Sequence, residues 1–130
     1  MAKNKNFSGG LFTGKKPTAL VPKEGCVSAS IEEYLERRKI YNLRLNSGKI
    51  YLGNRAIQLC PEGTPDRFLL YRAHCLFIEV KRFGEKPSDE QIKTHESIRA
   101  SGGRVIVAYS IDCVATALRE IDAETAQKTI

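Results

Sequence analysis

Three features of this 130-residue chain predict an α/β fold with a mixed central sheet flanked by helices. Residues 67–82 hold two apolar strands, about Arg67–Tyr71 and Cys75–Arg82, around the bend Arg72-Ala73-His74, which makes an antiparallel hairpin. The strand–helix–strand step from residue 75 to 109 requires a parallel crossover, so the sheet is mixed. Helical periodicity at both ends of this core supplies the flanking layers.

The elements follow in order. Val27, Ile31 and Leu35 recur every four residues with Tyr34 beside them, which predicts a helix from Glu24 to about Lys39. Its basic end, "RRK", suits the negative pole of the helix dipole. Residues 40–45 alternate as a strand, Asn46-Ser47-Gly48 is turn chemistry, and residues 49–62 read as a loop with some strand character. After the hairpin, Pro87 closes the strand side, and Ser88 with Gln91 three places on forms a capping box. That helix runs to Ser101 and ends at Gly102-Gly103. "RVIVAYS" is almost wholly apolar, which suggests a strand covered on both faces. "SIDCVATALREI" is a last helix capped by Ser110 or Asp112, and "DAETAQKTI" is expected to fray.

At this length the chain is one domain with room for a hydrophobic core. Of its 21 basic residues, five lysines lie in residues 1–23 with no acid among them, leaving 16 basic against 15 acidic residues in the remainder. The predicted organisation is a basic flexible N-terminal arm over 1–22 and a nearly neutral folded domain over 23–130. Such an arm is suited to a polyphosphate. No apolar run approaches the roughly 20 residues of a membrane helix, and "MAKNKNFSGG" lacks a secretory core, so a cytoplasmic protein is expected. Cys26, Cys60, Cys75 and Cys113 are scattered, with neither a Cys-x-x-Cys pair nor zinc-finger spacing to His74 or His95. Cys75 lies in an apolar run and Cys113 in a helical pattern, so reduced core thiols are expected.

Chemistry concentrates at one end of the hairpin. Strand alternation puts Leu76, Ile78 and Val80 on one face and Phe77, Glu79 and Lys81 on the other. A bend centred on residues 72–74 brings Asp66 level with Glu79, and Pro65 withholds a ladder donor just before it. Two carboxylates brought together repel unless a counter-charge joins them. A hard divalent cation removes that penalty, and oxygen ligands select Mg²⁺ or Mn²⁺. A bound metal polarises a phosphate and acidifies water while Lys81 orients that water or neutralises charge, a combination suited to phosphodiester hydrolysis. Taken singly, Glu79 and Lys81 also suit a salt-bridged rim pair, with Asp66 a turn residue.

These residues resemble a known signature. Pro65-Asp66 followed by Glu79-Val80-Lys81 is similar to the PD-(D/E)XK nuclease motif, with Glu in the second acidic slot. Around it, "RLNSG" (44–48), "GTPD" (63–66), "IEVK" (78–81), "SDEQ" (88–91) and "GGRVIV" (102–107) resemble the VRR-NUC branch, over about residues 24 to 116. The resemblance implies a restriction-endonuclease-like core and metal-dependent cleavage of DNA. Members of this size are similar to the small Holliday-junction resolvases, which work as homodimers. Position by position, it implies Asp66 and Glu79 as metal ligands, the Val80 carbonyl completing that shell, Lys81 as the catalytic lysine and Gln91 holding a metal-bound water or a phosphate. It also implies an acid early in the first helix, matched here by Glu24, with Glu32, Glu33 and Glu36 as rivals. Ser28 stands where the family often has a glutamine.

For nucleic acid, Arg44 and Ser47 are candidates for phosphate contact, with Gly48 admitting the backbone closely. "NSG" is equally a good turn. Lys49, Arg55, Arg67, Arg82, Lys86 and Lys93 are candidates to line a DNA groove, and few aromatics interleave with them for base stacking. His74 at the bend and His95 on the second helix, exposed or packed, are assigned no catalytic part. The functions weighed are resolution of branched DNA, cleavage of nicks, flaps or plain duplex, and DNA binding without cleavage.

Overall fold

In the computed structural model, which describes residues 21–129, a four-stranded sheet carries helices on both faces. The elements are α1 (Glu24–Arg37), β1 (Asn42–Arg44), β2 (Lys49–Leu52), β3 (Arg55–Gln58), β4 (Arg67–Tyr71), β5 (His74–Val80), α2 (Asp89–Ala100), β6 (Arg104–Ala108) and α3 (Ile111–Thr129). The main sheet has the order β1-β4-β5-β6, antiparallel except for the β5–β6 pair, and β2–β3 form a separate two-stranded ribbon. The mixed α/β fold and the crossover are thus as expected.

Alternation explains the layering. Leu69, Leu76, Ile78, Val80 and Ala108 lie on one face and pack with Val27, Ile31 and Leu35 of α1 and Val114, Ala117 and Leu118 of α3. The opposite face carries Phe68 and Phe77, whose rings stack tilted at 5.2 Å, and receives α2. α2 is fixed at its start by the predicted capping box: Ser88 Oγ accepts from Gln91 N, and Gln91 Oε1 accepts from Ser88 N. At its end Arg99 donates to the Val105 carbonyl.

Several expectations are corrected. The strand character expected within residues 49–62 is a full hairpin over 49–58 with a two-residue turn, more regular than the loop expected; Gly53 takes φ 63° there, a region open to glycine. The strand expected over 40–45 narrows to Asn42–Arg44. β6 is an edge strand, so Ile106 and Val107 are only half-buried. α3 continues through the segment expected to fray, held where Tyr71 donates to Asp122 and Arg104 pairs with Glu124. All four cysteines are free, as expected, but Cys75 is exposed. It stands on the α2 face opposite Leu70, at the end of β5 where that face is left open.

The basic arm expected over 1–22 lies, up to residue 20, outside the described residues. No described helix is long and apolar enough to cross a membrane.

Candidate active site

The hairpin register places the two acids. Arg67 pairs with Ile78, so Asp66 falls opposite Glu79. Asp66 N donates to the Ile78 carbonyl (3.0 Å) and Leu45 N donates to the Asp66 carbonyl (2.8 Å). The carboxylate is fixed as well, since Asp66 Oδ2 accepts from Val80 N at 2.7 Å. Pro65, buried and without an N–H, precedes it with no orphaned donor. Lys81 continues the ladder, its N donating to the Ala108 carbonyl.

Glu79 lies beneath α2 and is 2% exposed. One oxygen, Oε2, accepts from Gln91 Nε2 at 3.1 Å, and the other lies 3.2 Å from His95 Nε2. Gln91 therefore has two tasks: its carbonyl caps the helix at Ser88 and its amide nitrogen holds Glu79. Burial raises the Glu79 carboxyl most, followed by repulsion from Asp66, which also accepts a hydrogen bond from the protonated acid. Lys81 opposes these effects, and the acid ends at about 8. Burial, then the charges of Arg99 and Lys81, lower His95 below its ordinary 6.5. Near neutral pH the Glu79–His95 contact is accordingly a hydrogen bond between uncharged groups, not an ion pair.

Glu24 is exposed at the start of α1 and joins this cluster. Its carboxyl is raised first by desolvation, then by a hydrogen bond with Glu85, with Lys81 pulling it down and Glu85 and Asp66 adding repulsion. The rival acids lie elsewhere: Glu33 pairs with Arg37, Glu36 accepts from Asn42, and Glu32 is 3.8 Å from Arg67. Two residues escaped the sequence reading. Glu85 is drawn in by the turn after β5, where its Oε1 accepts from Arg82 N. His95, 3% exposed, is the packed residue whose link to Glu79 was missed; its spacing of four from Gln91 is the signal that puts both on one helix face.

The nucleic-acid candidates divide. Arg44, Ser47 and Lys49 are exposed around the root of the β2–β3 ribbon. Arg82 is half-buried beside Glu85. Arg67 is a correction: it is 2% exposed, with Nη1 donating to Asn42 Oδ1 at 2.5 Å and no hydrogen-bond partner for Nη2. Alternation gives it the face of Leu69, under α1, so its guanidinium is turned away from any groove.

Among the described residues no three or more His, Cys, Asp or Glu side chains are grouped to hold a metal ion. The donors are still of the kind that a hard dication takes: the carboxyl oxygens of Asp66 and Glu79, with Glu24 and Lys81 near enough to act on them electrostatically. Burial does most to keep Glu79 protonated, and the repulsion from Asp66 that adds to it is what a dication relieves.

No protein-family model matches the chain, and no curated protein matches it. Among solved structures it is similar to a "VRR_NUC domain", with a TM-score of 0.55 and 24% identity over 75% of this chain and 97% of that one. At that identity the likeness is one of fold, a mixed sheet flanked by helices.

Proposed function

We propose that this chain is a divalent-metal-dependent DNA endonuclease of the VRR-NUC branch of the PD-(D/E)XK nucleases, cutting branched DNA such as four-way junctions as a homodimer. The observation that carries this reading is the Glu79 carboxyl: buried, pushed up to about 8 by burial and Asp66, and held by two side chains of α2. A fold gains nothing in stability from such an arrangement, whereas a site for a cation and a phosphate has a use for it.

Asp66, Glu79 and the Val80 carbonyl would hold Mg²⁺ or Mn²⁺, with Glu24 beside them. When bound, the metal supplies a Lewis acid for the phosphate and a more acidic water. The chain's own groups prepare the ground for it. Gln91 and His95 hold Glu79 in one rotamer, so the acid is pre-positioned. Lys81 acts as a cation on Glu79, and in this reading it would orient the attacking water or balance charge on the phosphate. Outside this centre, Arg44, Ser47 and Lys49 are exposed for phosphate contact, which positions DNA without reading its sequence. Two symmetric cuts across a junction need two such centres, hence the dimer.

The test compares labelled four-way junction, flap, nicked and plain duplex DNA with Mg²⁺, Mn²⁺ or Ca²⁺. Symmetric nicking of the junction with Mg²⁺ or Mn²⁺, and binding without cleavage in Ca²⁺, are expected. Glu79→Ala and Lys81→Ala should each abolish cutting; variants that cut at the parental rate refute the assignment. Preference for flap, nick or duplex would redirect the substrate, and binding with no cutting under any metal would reduce the chain to a DNA-binding module.

A further inference from the structure

The β2–β3 ribbon is the part of the described fold with the least reason to exist for stability. None of its eight strand residues is buried; Ile50 is 43% exposed, Leu52 59% and Tyr51 71%. Pairing of Ile50 with Ile57 and of Leu52 with Arg55 puts these four on one face, while Lys49, Tyr51, Ala56 and Gln58 share the other. A two-stranded hairpin by itself is marginal in water, so one that exposes apolar side chains calls for a partner.

Its root, by contrast, is firmly tied. Gly48 N donates to the Cys60 carbonyl, Cys60 N to that of Asn46, and Leu59 N to that of Gly48. Both connections lead to the acidic site: Leu45 N donates to the Asp66 carbonyl on the way in, and Pro61 to Pro65 lead back to Asp66 on the way out. Charge indicates the partner. Between Glu36 and Glu62 the chain carries six basic residues and no acid, with Arg44, Lys49 and Arg55 on the ribbon and its root. A second copy of the chain is the weaker fit, because a stable interface takes about 800 Å² and roughly 20–30 residues from each partner.

We infer that the β2–β3 ribbon is a DNA-engaging finger: it enters a groove of the duplex next to the scissile phosphate tip first, with Tyr51 and Leu52, on opposite faces near the tip, against the two sides of the groove and Lys49 and Arg55 against the phosphates. A two-stranded ribbon is of a size that the major groove admits. The inference rests on the nuclease reading above and adds to it the element that grips the duplex beside the cut.

The experiment measures binding of a fluorescently labelled duplex and a four-way junction by anisotropy, in Ca²⁺ and over a series of salt concentrations, with the full chain. Tyr51→Ser/Leu52→Ser should weaken binding about tenfold or more while far-UV circular dichroism and the thermal midpoint hold, since neither residue is buried. Lys49→Ala/Arg55→Ala should flatten the salt dependence by about one unit of log–log slope for each cation removed. Parental affinity in the first variant together with parental slope in the second overturns the finger. Loss of a dimer in sedimentation, with DNA affinity per site unchanged, also overturns it and gives the ribbon to a second copy. If the parent chain binds neither DNA, the nuclease reading itself fails and the finger falls with it, an outcome read on the parent and so distinct from the other two.

Discussion

Replacing Glu79 by glutamine separates the charge of this residue from its packing. The amide is isosteric, accepts from Gln91 through its oxygen and presents its nitrogen to neutral His95. In the parent, the carboxyl lies at about 8 when folded against an ordinary 4.5. The unfolded chain therefore ionises this group from pH 4.5 upward while the folded chain still holds the proton. Stability present below 4.5 is lost as pH rises towards 8 and levels off above it. At ~1.36 kcal/mol per unit, the loss at pH 7 is about 3 kcal/mol. Glutamine does not titrate, so in metal-free buffer Glu79→Gln should melt roughly 10 °C above the parent at pH 7–8 and match it near pH 4. His95, lowered rather than raised, acts below 6.5 in both proteins and drops out of the difference. Mg²⁺ should narrow the gap by stabilising the parent alone. Melting curves by circular dichroism at pH 4 to 9 with a chelator decide it; a variant that melts at or below the parent at pH 8 refutes the account of a strained acid.

Arg67→Ala should destabilise the fold by about 2–4 kcal/mol in urea titrations by leaving a cavity under α1 and Asn42 without its partner, and should leave the salt slope of DNA binding unchanged. Gly63→Ala should cost about 2 kcal/mol or more, because Gly63 has φ 90° and a Cβ there would stand 2.8 Å from the Glu90 carbonyl oxygen and Thr94 Oγ1. The same change should weaken Mn²⁺ uptake in calorimetry, since it pushes the Asp66 loop off α2. Ala73→Gly should stabilise by about 0.5–1 kcal/mol, as Ala73 sits at φ 67° in the tight hairpin turn, and the thermal midpoint reads it.

Strong local signals proved readable. Leu76, Ile78 and Val80 showed period two, Val27, Ile31 and Leu35 showed period four, and Ser88 with Gln91 formed the capping box; each is set by neighbours in the chain, and each recurs in the structure. The ribbon at 49–58 was harder, because its apolar residues face solvent and its alternation is mixed with basic residues, which resembles a loop. Arg67 was misread for a related reason. Basic residues are usually exposed, and only the β1–β4 pairing, the hydrogen bond to the Asn42 side chain and the overlying α1 turn this one inward.

By itself the sequence determined the two-faced hairpin, the helices that cover it and the meeting of Asp66 with Glu79, because strand alternation and a short bend leave few registers that bury the apolar face. Tertiary structure alone decided the state of that acid pair. His95 and Gln91 reach Glu79 from a helix 12 to 16 residues away, and Glu24 and Glu85 approach from two further segments. Burial and Coulomb interaction depend on distance in space and not along the chain, so the acid's charge at neutral pH follows only from the packed fold.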